Sequence, residues 1–428
     1  MADNGHGVPL GILALAPSTK SRPNVFAQEP PAMAERRSIG NGVRLKRVEI
    51  TDFKGIDHVQ LDFLPPRMNG DPDIHVMGSR NGLGKTSILE ACVFLFLSLN
   101  IPITKKSNTE NGFVKITINP PESFIRLVPD LFVRSGRKGA AIDGIFDFYK
   151  DEFSVRVRLS RTGRVSIEIQ KELHDSLTEK KHRSDIEQPF ERWKQFFTLL
   201  SGYDMDPIIM NSCLYFHSYR KIQEGNPEFG MMVEPKLLSR PMGGVPSHEI
   251  NMVFERFSIV SRFKIEILRA MMRKANLFEQ LAGDNTDETL EKLNGLIERY
   301  AAGRIEKLRP LSDNRVDFRI TPIKGGASFA FDGLSSGQKE IVATLFLIWH
   351  YTRNRPGIIL IDEPELHLNS EWHRDFVRHV TQLVPQNQYI LATHSEDIFK
   401  SVDRDRRIFL GIAEAVPPSV GTAGENVR

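Results

Sequence analysis

Three short stretches carry residue types that could bind and split a phosphate anhydride. Gly78-Ser79-Arg80-Asn81-Gly82-Leu83-Gly84-Lys85-Thr86 lies between Ile74-His75-Val76-Met77, which reads as a strand, and an apolar run from Thr86 to Leu97, which reads as a buried helix. Glycines let successive backbone N–H groups face one concavity, and the helix N-terminus adds its dipole. Ser79, Asn81, Gly82, Gly84, Lys85, Thr86 and Ser87 then form a nucleotide-binding set. Lys85 would reach the β and γ phosphates and the Thr86 hydroxyl would bind Mg²⁺. Ser79 stands where GxxxxGK[ST] has its first glycine, with Gly78 just before it.

Gly357-Ile358-Ile359-Leu360-Ile361-Asp362-Glu363 is an apolar strand that ends in two carboxylates. Buried parallel strands read this way, and open α/β sheets bind ligands at the carboxyl ends of such strands. Adjacent carboxylates repel unless a cation intervenes. Asp362 is therefore assigned to the Mg²⁺ shell and Glu363 to the attacking water. Gln388-Tyr389-Ile390-Leu391-Ala392-Thr393-His394-Ser395 is a further apolar strand, and its His394 is placed against the γ-phosphate and the water.

Leu334-Ser335-Ser336-Gly337-Gln338 opens an apolar helix, Ile341 to Trp349, and Gln338 lies 362 − 338 = 24 residues before Asp362. In this order the stretch resembles the signature motif of the ABC ATPase superfamily (Leu-Ser-Gly-Gly-Gln), with Ser336 replacing the first glycine. The resemblance implies that Ser335, Ser336, Gly337 and Gln338 reach across a dimer to the partner's nucleotide. Pro364-Glu365-Leu366-His367-Leu368-Asn369 resembles the D-loop of that family; for its Q-loop glutamine, Gln223 is a weak match.

Lys85 and Ser335 are 335 − 85 = 250 residues apart, wider than in transporter cassettes. That gap, the Phe53-Lys54-Gly55-Ile56 turn and the Asp-Glu-Pro-Glu-Leu-His-Leu run resemble the RecF/SMC-like branch. More closely they resemble stand-alone AAA-type ATPases of bacterial antiphage systems, OLD-like but without a Toprim domain, as does Leu214-Tyr215-Phe216-His217-Ser218-Tyr219-Arg220-Lys221. The resemblance implies a homodimer, or a higher oligomer built from dimers, that takes ATP and Mg²⁺, senses or clamps DNA or a foreign trigger, and controls a separate effector, a nuclease or toxin. Only 428 − 394 = 34 residues follow His394, so any nuclease is expected on another protein. The alternatives are a RecF-like repair ATPase and the nucleotide-binding subunit of a transporter. Arg134, Arg137 and Lys138, and the run Lys180-Lys181-His182-Arg183, could meet DNA phosphates, although short basic runs are more often solvated loops.

The elements that must position these residues suggest an α/β fold: an ABC-type P-loop ATPase head with mixed β-sheets, an inserted α+β region and a short helical hairpin. The expected division is a disordered leader over 1–41, a core from 42–100 and 311–412, an insertion over 101–246 with strands near 144–150, 153–160 and 165–170, a helical subdomain over 247–310, and a flexible tail over 413–428. A net charge of +3 does not by itself imply nucleic acid, and the two cysteines, Cys92 and Cys213, make neither a disulfide framework nor a zinc site. No stretch approaches the ~20 apolar residues of a membrane span, so a cytoplasmic protein without membrane contact is expected.

Overall fold

The computed structural model describes residues 43–68, 70–78, 84–99, 108–110, 112–118, 127–148, 151–172, 207–210, 213–222, 224–227, 261–274 and 286–411. The expected leader and tail, the Lys180–Arg183 run and Gln223 lie outside them.

A seven-stranded antiparallel sheet runs in the order β2-β1-β6-β7-β8-β5-β4. Its members are β1 (Val43–Phe53), β2 (Ile56–Asp62), β4 (Asn108–Glu110), β5 (Phe113–Ile118), β6 (Gly139–Phe148), β7 (Asp151–Ser160) and β8 (Val165–Gln170). The stretch set apart by its texture thus supplies strands that continue the sheet of β1: Ile50 faces Ile142 across β1 and β6. A six-stranded sheet has the order β16-β3-β15-β14-β10-β9. It comprises β3 (Asp73–Gly78), β9 (Ile208–Ile209), β10 (Cys213–Phe216), β14 (Ile358–Asp362), β15 (Gln388–Thr393) and β16 (Arg407–Phe409). All its pairings are parallel except that of the edge strand β9.

Helix α1 (Lys85–Leu99) lies between the sheets and touches β1, β6 and β7 on one side and β10, β14 and β15 on the other. Thirteen of its 15 residues are buried, which is why it has no polar face. Strand β14 shows the layering directly. Ile358 and Leu360 join the core shared with α1 and the antiparallel sheet. Ile359 and Ile361 join a second core, against the helices outside the parallel sheet. Alternate residues point to opposite faces, and because both faces are covered the strand reads as an unbroken apolar run. The Gln388 side chain ties the sheets together. Its Oε1 accepts from Leu45 N and its Nε2 donates to Leu45 O, both at 2.8 Å, where the β1 register slips against β6.

The outer helices are α3 (Arg262–Lys274), α4 (Thr286–Ala301), α5 (Ser336–Thr352) and α6 (Ser370–Leu383); α2 (Leu127–Phe132) and α7 (Glu396–Lys400) are short. Helices α3 and α4 pack on each other and on α5, so the hairpin is compact. The expectation of helix to residue 310 fails at its end. Ala302 turns with φ 49°, and Gly303–Pro310 is a strand, β11, paired with β12 (Val316–Pro322), which in turn pairs with β13 (Phe329–Ala330). A register slip between Ile305 and Lys307 breaks the alternation, and its charged residues imitate a solvated helix face. Among the described residues no helix is long and apolar enough to cross a membrane.

Candidate nucleotide site

Parallel register brings three strand ends to one edge. Thr393 lies beside Gly78, and Asp362 beside Ala392. The end of β3 at Gly78, the Asp-Glu pair and His394 therefore meet where α1 begins. Of the expected loop residues, Ser79, Asn81 and Gly82 lie outside the described residues. Gly84 has φ +84°, a backbone that favours glycine, and a Cβ there would come within 3.0 Å of the Ile56 side chain at the start of β2. Lys85, Thr86 and Ser87 form the first turn of α1, Lys85 buried and Ser87 half-buried.

The Thr86 hydroxyl donates to Asp362 Oδ2 at 2.9 Å, while the buried Oδ1 of Asp362 has no hydrogen-bond partner. Burial pushes the Asp362 carboxyl up to about 7; the Thr86 hydrogen bond opposes this and the neighbouring Glu363 adds to it. Burial also lowers Lys85 from its ordinary range, against the pull of Asp362, Glu363 and Glu365. Lys85 Nζ is 3.4 Å from His394 Nδ1, and His394 Nε2 is 3.6 Å from Glu363 Oε1. A ring carrying its proton on Nε2 satisfies both contacts. An ammonium, a hydroxyl and an orphaned buried carboxylate oxygen suit a triphosphate with a hard divalent cation.

Two residues whose roles sequence reasoning missed hold this edge in shape. Glu365 Oε1 accepts from the backbone N–H of His394 at 2.5 Å and of Ser395 at 3.2 Å, and Oε2 accepts from the Thr393 hydroxyl at 2.7 Å. Arg220 donates to the carbonyls of His217, Asp362 and Glu363 at 2.9, 2.6 and 3.1 Å and pairs with Glu340 at 2.8 Å. Glu363 needs such support because its φ is +47°, a left-handed backbone that costs a non-glycine residue about 1 kcal/mol or more. The Leu214–Lys221 resemblance was the signal for Arg220, and the Asp-Glu-Pro-Glu run for Glu365.

The signature residues stand at the start of α5. Ser335 caps the helix: its hydroxyl accepts from Gln338 N at 3.3 Å, and Gln338 Oε1 accepts from Ser335 N at 3.1 Å. Gln338 Nε2 also donates to Tyr300 O at 3.0 Å. Ser335 and Ser336 are exposed, whereas Gly337 is buried. A Cβ on Gly337 would lie 2.1 Å from the His367 carbonyl oxygen, so only glycine lets α5 press against the loop after Glu363.

The parallel sheet and this edge fit the AAA domain that a family model describes. The AAA domain family profile matches residues 47–309, more than half of the chain, and the chain belongs to that family. A second AAA domain profile, whose description also names an AbiEii toxin and a type IV TA system, matches residues 245–399. The retron Vc95 probable ATPase of Vibrio cholerae serotype O1 biovar El Tor is 22% identical over 412 residues, covering 86% of this chain and 74% of that protein. The Septu protein PtuA of Bacillus thuringiensis is 28% identical over 144 residues, 31% of this chain; the match spans only 36% of PtuA. Among solved structures, the SMC head bound to the C-winged helix domain of ScpA is similar at 16% identity and TM-score 0.46, over 84% of this chain and 92% of that one. The SMC head domain from Thermotoga maritima gives 14% and 0.38 over the same shares.

Proposed function

We propose that the chain binds ATP with Mg²⁺ and hydrolyses it in a sandwich of two copies, each nucleotide held by one protomer's phosphate loop and completed by the other's signature. The observation that carries the reading is the unpartnered, buried Oδ1 of Asp362 beside the Thr86 hydroxyl, with Lys85 on the next contact. Thr86 and Asp362 would hold Mg²⁺, which supplies neutralising charge to the phosphates when bound. Lys85 leaves His394 for the phosphates. Glu363 orients the attacking water and takes its proton, and His394 faces the γ-phosphate. Ser335 and Ser336 would offer an exposed helix N-terminus to an anion, with Gly337 behind them.

The cellular reading is antiphage defence from the cytoplasm, with a trigger sensed by the dimer and a separate nuclease or toxin controlled by it. The names of the retron ATPase and the Septu protein support this. DNA as trigger is supported by a basic corner of the antiparallel sheet. There Lys138, Arg158 and Arg164 line one concavity, and Arg134 and Arg137 are held beside it by Asp57 and Asp52. Glu363→Gln should stop turnover and leave the ATP contacts intact. Light scattering should then show dimers of this variant with ATP and monomers without it. A monomer at high protein and ATP concentration contradicts the sandwich.

A further inference from the structure

The guanidinium of Arg220 is buried at 5% exposure, and it meets Asp362 and Glu363 at their backbone carbonyls. Three of its contacts are backbone carbonyls, and two of these belong to Asp362 and Glu363. Its Nε faces Glu340, which is buried on the second turn of α5. A buried cation aimed at carbonyls fixes backbone, because its planar fork holds several acceptors in one geometry. The Glu363 carbonyl it holds also accepts from Leu366 N at 3.1 Å. That bond closes the turn leading to His367, whose carbonyl meets Gly337 of α5. The carbonyl of the left-handed Glu363 is thus gripped twice, and both grips end on the signature helix, while its N–H donates to Ala392 O at 2.8 Å on β15.

We propose that Arg220, anchored by Glu340, is a positioning residue that sets the backbone of Glu363 and so aims its carboxylate at the attacking water. The proposal rests on Glu363 being the base. It adds that the aim of the base depends on a buried ion pair reaching into α5, outside the nucleotide's own contacts. Removing the fork lets Glu363 relax from φ +47°. Relaxation moves its carboxylate, while Lys85, Thr86 and Asp362 still hold the nucleotide.

The test is steady-state ATP hydrolysis together with equilibrium binding of a fluorescent ATP analogue to the full chain, for Arg220→Gln, Arg220→Lys and Glu340→Gln. Misplacing a reacting group by about 1 Å can cost ~100-fold in rate. We expect kcat to fall ~100-fold in Arg220→Gln and ~10-fold in Glu340→Gln, with the nucleotide Kd within ~3-fold of wild type in both. Arg220→Lys keeps a donor for the carbonyls and should recover part of the rate. Unchanged kcat in Glu340→Gln overturns the proposal. So does a loss of affinity that matches the loss of rate, because that marks a merely structural role; Glu340→Gln keeps the side-chain shape should Arg220→Gln fold poorly. Glu363→Gln is the control: if it hydrolyses ATP normally, the assignment of the base is at fault and not the role of Arg220.

Discussion

At the carboxyl edge of the parallel sheet, Asp362 buries an oxygen that nothing satisfies, and Lys85 rests on a histidine 3.4 Å away. At the start of α5, by contrast, Ser335 and Gln338 satisfy each other, and Gln338 has a third partner in Tyr300. The first region costs the bare protein stability, because a buried polar atom without a partner is penalised by ~1–3 kcal/mol. The second is complete as it stands and open to solvent. A site that needs a ligand and a helix end that needs none are complementary halves. On the proposed sandwich, the nucleotide would restore the edge before the finished helix end closes over it.

The comparison can be broken by substitution, and the largest effect belongs to the edge. Glu363→Gln should lower kcat ~1000-fold with ATP affinity retained, since losing a general base typically costs 10²–10⁴-fold; a phosphate-release assay decides. Lys85→Ala should weaken ATP binding ~100-fold, read by fluorescence titration, because truncating one member of a buried charge pair costs several kcal/mol. Tight binding in that variant would remove Lys85 from the phosphates.

Gly337→Ala probes the other half. A methyl 2.1 Å from the His367 carbonyl oxygen forces α5 away from the loop after Glu363. Overpacking of this kind costs ~1–3 kcal/mol. Turnover should fall about tenfold while nucleotide affinity stays, the reverse of Lys85→Ala.

Titration of Asp362 gives a smaller effect whose sign is the check. Its carboxyl stands near 7 in the nucleotide-free fold, above the ordinary ~3.9 of an unfolded chain. Between those values the folded state holds the extra proton, so this group's stabilisation is full below pH ~4 and is lost as the pH rises through about 7. Asp362→Asn should therefore melt a few degrees higher than wild type at pH 8 without nucleotide, with little difference at pH 4. It should gain less than wild type from ATP with Mg²⁺. A lower melting point at pH 8 would mean the carboxylate is already stabilised.

The parts of the site that strand ends deliver were legible in sequence, because a buried parallel strand leaves an apolar run that stops at its functional residue. Asp362, Glu363 and His394 stand where such runs stop, and α1 announced its burial by lacking a polar face. Arg220 and Glu365 were not legible as supports, because most of their partners are backbone groups, which carry no residue type for a pattern to match. Likewise nothing local in β6–β8 reveals that they extend β1. That pairing goes with the apolar surface of α1, which β1, β6 and β7 cover. Strand β11 was misread for a nearer reason, a register slip that hid its alternation.

The central claim, that each nucleotide is completed by the opposite protomer, is tested most directly by mixing two inactive variants. Lys85→Ala lacks the phosphate contact and Ser335→Arg blocks the signature, so each alone should be without turnover. In a mixed dimer, one of the two composite sites is intact. With random exchange of subunits and independent sites, an equimolar mixture should recover about a quarter of wild-type ATP hydrolysis. A mixture as inactive as its components, although mixed dimers form, would mean that Lys85 and Ser335 do not meet across a dimer.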